Sequence, residues 1–142
     1  MIKRNKTLLL ELNEIRKPNT NLVLLRSILD NEYTRIDFGY IATPYFIKGG
    51  WIRISADTYV SIQGEDKKYR LTHADNIPIA PDHFHFKSNK DWQYFSLYFE
   101  PLPIENMMID IIEAENPDEN DFNYYGIDFN VDTAAEILNI SD

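Results

Sequence analysis

Cysteine is absent from all 142 residues. Disulfides, thiolate zinc sites and thiol nucleophiles are thereby excluded together, while the compartment stays open, because a cysteine-free chain suits the cytoplasm and the cell surface equally. Basic residues are missing beyond Lys90: the last 52 residues carry 13 Asp/Glu and no Lys or Arg, against 14 basic and 10 acidic residues in the first 90. The chain is thus polarised, with a net charge of −9. That balance opposes phosphate backbones and anionic lipid, both of which require clustered Lys/Arg, so neither a nucleic-acid partner nor membrane insertion is expected. Glycine is scarce, with 5 residues, and Gly49-Gly50 is followed by Trp51 rather than by the Lys-Ser/Thr of a phosphate-cradling loop. No serine lies in a Gly-x-Ser-x-Gly elbow. No run approaches the roughly 18 apolar residues of a membrane span. The opening Met1-Ile-Lys-Arg-Asn-Lys6 is charged like a signal n-region, but Glu11 stops Thr7-Leu-Leu-Leu10 at once. Those residues read as strand, with the cytoplasm as default compartment and the cell surface or periplasm open if a leader was removed.

What is present favours packing. Apolar residues make up 44% of the chain and aromatics 13%, enough to offset chain entropy in one domain spanning residues 1–142. Short β-rich runs recur at intervals of roughly 8–15 residues with turn residues between them. Residues 6–15 place Leu8, Leu10 and Leu12 on one face, and residues 22–29 form a nearly continuous apolar run suited to pair with them as a hairpin. Residues 33–42 alternate, with Ile36, Phe38 and Tyr40 against Arg35, Asp37 and Gly39. Further strands are expected over 51–55, 58–62, 68–74, 92–100, 108–114 and 122–129, with a long loop over 76–89 carrying at most a short strand. The expected fold is all-β, a two-sheet antiparallel sandwich. Thr133-Ala-Ala-Glu136 has the form of a helix capping box, so residues 130–142 are expected to be a short helix or a tail.

Gly50-Trp-Ile-Arg-Ile, Tyr69-Arg-Leu, Ile77-Pro-Ile-Ala-Pro81, Tyr94-Phe-Ser-Leu-Tyr-Phe-Glu-Pro-Leu-Pro103, Ile109-Asp-Ile-Ile-Glu113 and Phe122-Asn-Tyr-Tyr-Gly-Ile127 resemble a β-sandwich module that recurs in uncharacterised bacterial proteins. The resemblance covers about residues 33–129. It implies an immunoglobulin-like or fibronectin type III-like domain, often appended to others, with no assigned catalytic residues. The cysteine pair of antibody-type domains is lacking.

Three groups of residues carry chemical interest. His83-Phe-His85 places two imidazoles on one side of an extended segment, with Asp82 and the distant His73 as further ligands for a transition metal. The spacing is similar to the His-x-His of cupin metal sites, although Lys87, Ser88 and Asn89 stand where the expected Glu would fall. The bland alternative is a polar loop over Phe84 and Phe86. In the acidic stretch 113–121, Asp118 and Asp121 could hold Ca²⁺, but the order is not that of an EF-hand, and a solvated turn explains it equally. The third group is aromatic. With Phe95, Leu97 and Phe99 inward, Trp92, Tyr94 and Tyr98 share the other face of their strand, and Trp51 is expected to join them from a neighbouring one. Such a row suits a protein partner or a sugar ring, unless a loop, the N-terminal hairpin or the C-terminal helix covers it.

These features lead to a non-catalytic interaction module. A protein partner, basic in its docking patch, would meet the aromatic face and be steered by the acidic second half. A carbohydrate-binding module using Trp51, Trp92, Tyr94 and Tyr98 is the alternative, and a small metal-dependent enzyme using His83 and His85 the third. No cofactor is expected under the first reading. Oligomers through edge strands remain open.

Overall fold

In the computed structural model, which describes residues 7–15, 22–41, 51–52, 54–77, 84–85, 92–115 and 123–137, the apolar and aromatic runs become strands. They are β1 (Thr7–Ile15), β2 (Leu22–Leu29), β3 (Thr34–Ile41), β4 (Trp51–Ile52), β5 (Tyr59–Ile62), β6 (Lys68–Asp75), β7 (Phe84–His85), β8 (Trp92–Phe99), β9 (Met107–Ile112), β10 (Tyr124–Phe129) and β11 (Ala135–Ile137). Among the described residues there is no α-helix, and so none long and apolar enough to cross a membrane. Nine strands form one antiparallel sheet in the order β10-β9-β5-β6-β8-β3-β2-β1-β11, while β4 and β7 pair with each other. The expected hairpin of β1 with β2 is present.

The sheet turns at β6. Lys68, Tyr69 and Arg70 lie opposite β5, residues 71–75 run along β8, and the register slips between Leu71 and His73. A strand that passes from one neighbour to the next at such a slip bends, because the extra residue coils the backbone locally. The two arms of the sheet then meet face to face. The Tyr124 ring of β10 lies 6.0 Å from that of Phe38 on β3, and its hydroxyl donates to the Leu22 carbonyl of β2 at 3.2 Å. Phe38 also stacks on Phe95 of β8, centroid to centroid at 5.1 Å. Between the arms, Leu97, Phe99, Ile109, Ile111, Ile127 and Phe129 are buried, each side chain contributing roughly 1.5–3 kcal/mol by leaving water. At the far ends, β10 and β11 are joined through a 3-10 turn, Val131–Thr133. The result is a curled half-barrel. The all-β antiparallel expectation holds, and the walls expected of a sandwich are arms of one continuous sheet, since β6 is long enough to serve two neighbours.

The capping-box pattern does not open a helix. Asn130 caps the 3-10 turn instead, its side-chain oxygen accepting the Asp132 N–H at 3.0 Å, and Ala135, Glu136 and Ile137 pair with Leu9, Leu8 and Thr7. A cap contributes about 1 kcal/mol, whereas β1 would otherwise present an open row of backbone donors and acceptors. The edge wins.

A bulge shapes β10. Tyr124 faces Ile111 and Ile127 faces Ile109, so Tyr125 and Gly126 together oppose Asp110. Gly126 takes φ +66° and donates its N–H to the Asp110 carboxylate at 2.8 Å. The extra residue holds Tyr125 outward and returns Ile127 and Phe129 to the core. Space is not the constraint at Gly126, since an added Cβ would lie 3.6 Å from Gln63 Nε2 and 3.9 Å from the Met108 methyl. Gly126→Ala is therefore expected to cost about 1–2 kcal/mol through the left-handed backbone alone, read as a lower urea midpoint with an unchanged slope.

Candidate functional site

Alternation along β8 buries Phe95, Leu97 and Phe99 and turns Tyr94, Ser96 and Tyr98 to the outer face. Antiparallel register then sets their neighbours. Gly39, Asp37 and Arg35 of β3 stand opposite Tyr94, Ser96 and Tyr98, while Asp75 and His73 of β6 flank Ser96 and Tyr98 from the other side. Arg26 of β2 lies beside Asp37.

Asp37 is the hub of this face. Its carboxylate accepts bonds from Ser96 Oγ at 2.6 Å, Arg26 Nε at 2.6 Å and Arg35 Nε at 2.7 Å, and its side chain is only 6% exposed. Burial raises the pKa of a carboxyl, yet here the bonds from Ser96, Arg26 and Arg35 outweigh it and hold that of Asp37 below its ordinary value. Arg35 shows the converse balance: burial disfavours its charge, but Asp37 holds the guanidinium firmly ionised. The same guanidinium lies over the Tyr98 ring, 5.9 Å from its centroid. Tyr33 and His73 approach that ring at 5.6 and 5.5 Å, both tilted. His73 Nε2 is 2.8 Å from Asp75 Oδ1. Charge, ring and imidazole thus hold one another on a sheet whose backbone is already fixed.

The aromatic row is unevenly open. Tyr94 is 61% exposed, Ser96 is buried and Tyr98 half-buried. Trp92 opens β8 opposite Ile41. Trp51 stands opposite His85 in the pairing of β4 with β7, whereas the neighbours of β8 in its sheet are β3 and β6. Alternation places a residue on a face but does not choose the next strand. His85 lies in β7, and Asp82, His83, Asp118 and Asp121 fall outside the described residues. His73 is engaged with Asp75 and Tyr98. Among the described residues no three His, Asp or Glu side chains gather as metal ligands.

Several carboxylates of the acidic second half serve the fold. Glu100 accepts the Arg70 N–H at 2.9 Å, Glu113 the Ser55 N–H at 2.8 Å, and Asp110 the Gly126 N–H. Glu115 pairs with Lys68 at 3.0 Å, which lowers its pKa, and so bridges the two halves of the chain. Asp37 itself escaped notice as a site residue in the sequence. Its signal was Arg35-x-Asp37, opposite charges on one face of a strand, set among positions that looked solvated.

Fold and face together define a small all-β antiparallel half-barrel domain with a mixed polar and aromatic outer face. No protein-family model, no curated protein and no solved structure matches the chain.

Proposed function

We propose that this protein is a non-catalytic interaction module that docks a protein partner on the outer face of β3, β8 and β6, with the acidic residues after Lys90 steering a basic patch on that partner. The observation that carries this reading is Tyr94, 61% exposed on a strand face where Ser96 is buried and Tyr98 half-buried. Beside it, Tyr98 is already ordered by Arg35, Tyr33 and His73, so little side-chain entropy is lost on docking. The immunoglobulin-like sandwich is the architectural form of the same reading, supported by the packing of β10 over β2 and β3.

The test is a tagged pull-down from lysate of the native cell at low and high salt, run beside Tyr94→Ala. Stability of that variant is expected within about 0.5 kcal/mol of the parent, as for exposed positions generally. A stoichiometric partner that weakens with salt and is lost with Tyr94→Ala supports the proposal. No reproducible partner sinks it. Saturable glycan binding lost in Trp92→Ala would instead promote the carbohydrate-binding alternative, and stoichiometric bound metal would direct attention to His83 and His85.

A further inference from the structure

Besides Tyr94, the large apolar side chains exposed among the described residues are Met108 and Tyr125, at 41% and 52%. They belong to adjacent strands, β9 and β10, at the opposite end of the sheet order from β1 and β11. The bulge brings them out on one face. Tyr125 and Gly126 both stand opposite Asp110, and the Met108 methyl lies beside Gly126, 3.9 Å from where a Cβ there would stand. Asn123 donates to the Tyr125 hydroxyl at 2.8 Å, which ties down the tip of the ring. Asp128 stands directly across from Met108 and is exposed. Asp110 lies two residues along β9 from Met108, its carboxylate bonded by Gly126 and Gln63, both uncharged donors. The nearby cation Lys68 is paired with Glu115.

We propose that this outer face of β9 and β10 is a second docking surface, and that its occupant is a protein segment carrying Lys or Arg beside an apolar residue. Met108 and Tyr125 supply apolar area, with Tyr125 presenting a wide, ordered ring, and Asp110 and Asp128 supply the complementary charge. A second copy of this chain fits poorly, because it would bring the same carboxylates against each other on molecules that each carry −9. Strand addition along β10 also fits poorly, since the bulge at Tyr125 and Gly126 interrupts the edge ladder. The segment is therefore held by side chains lying across the face. The inference extends the interaction-module reading to a surface distinct from that of Tyr94.

Titration of the ¹⁵N-labelled protein with the peptide (Lys-Val)₄, and with (Glu-Val)₄ as control, tests it. (Lys-Val)₄ is expected to shift amide resonances of residues 107–112 and 124–129 saturably, and (Glu-Val)₄ to leave them in place. The double variant M108S/Y125S is expected to weaken that binding about tenfold, a difference that loss of two central apolar anchors supplies, and D128N several-fold at low salt. Tyr94→Ala should leave it unchanged. Absence of saturable shifts, equal shifts with both peptides, or shifts confined to β3, β8 and β6 would overturn the proposal. So would a dimer in sedimentation that M108S/Y125S dissolves, which would name the second copy as occupant. Failure here with the Tyr94-dependent partner retained would discard this surface and leave the other reading standing.

Discussion

Phe38→Ala is expected to lower the stability of the domain by about 3–5 kcal/mol, in the range found when a buried phenylalanine leaves a cavity. The residue is 1% exposed and its ring is shared between both arms of the sheet, stacked on Phe95 at 5.1 Å and approached by Tyr124 at 6.0 Å. Because these partners are themselves held in strands, the site has little freedom to collapse. A domain of this size has a total stability of about 5–15 kcal/mol, so a large share of the urea midpoint should disappear while the slope is kept. Tyr124→Phe should cost only about 1 kcal/mol, since it removes the hydroxyl bond to Leu22 and retains the ring. A double-mutant cycle between the two positions then reports how strongly the arms are coupled. If Phe38→Ala costs less than about 1 kcal/mol, the arms do not meet at this ring and the curled architecture is wrong.

Asp37→Asn is expected to cost about 2 kcal/mol at neutral pH. A fully buried ion pair broken at one partner loses about 3–5 kcal/mol, but the Arg26 and Arg35 side chains are 48% and 33% exposed and recover much of their hydration. The pH dependence has a definite sign. Folding depresses the pKa of Asp37 below its unfolded value of about 3.9. Its contribution is therefore complete above that unfolded value and is lost as pH falls through the lower folded value. Urea midpoints of parent and variant should be well separated at pH 6–7 and should converge in acid below about pH 3. A gap that persists unchanged in acid would assign the effect to packing rather than to charge. Since Arg35 bridges Asp37 and the Tyr98 ring, the variant should also loosen the platform beside Tyr94, which the same pull-down reads at neutral pH.

The strands that were legible in sequence were those whose signal is local. In β2 one face is buried and Val23, Leu25 and Ile28 on the other are half-buried, so residues 22–29 appear as an apolar run; in β8 one face is core, so Phe95, Leu97 and Phe99 alternate with Tyr94, Ser96 and Tyr98. Thr133-Ala-Ala-Glu136 misled because four residues specify a cap only where a helix has length to follow, and the open edge of β1 offered ladder bonds instead. The pairing of Trp51 was illegible for a different reason: its partner lies 34 residues away at His85, and no short window contains both. Asp37 appeared as an ordinary outward residue because the bonds that bury it arrive from β2 and β8, across 11 and 59 residues of chain.

By itself, then, the sequence determined an all-β domain without thiol chemistry, the faces of its principal strands and the segregation of acidic charge beyond Lys90, because composition and period-two alternation are properties of the chain read a few residues at a time. Only the tertiary structure decided that one sheet folds on itself at β6, that Asp37 is buried under two arginines and a serine, and that Tyr94 on one face and Met108 with Tyr125 on another are left exposed. Those outcomes depend on which strands become neighbours, and neighbours are chosen by the burial that the whole chain achieves at once.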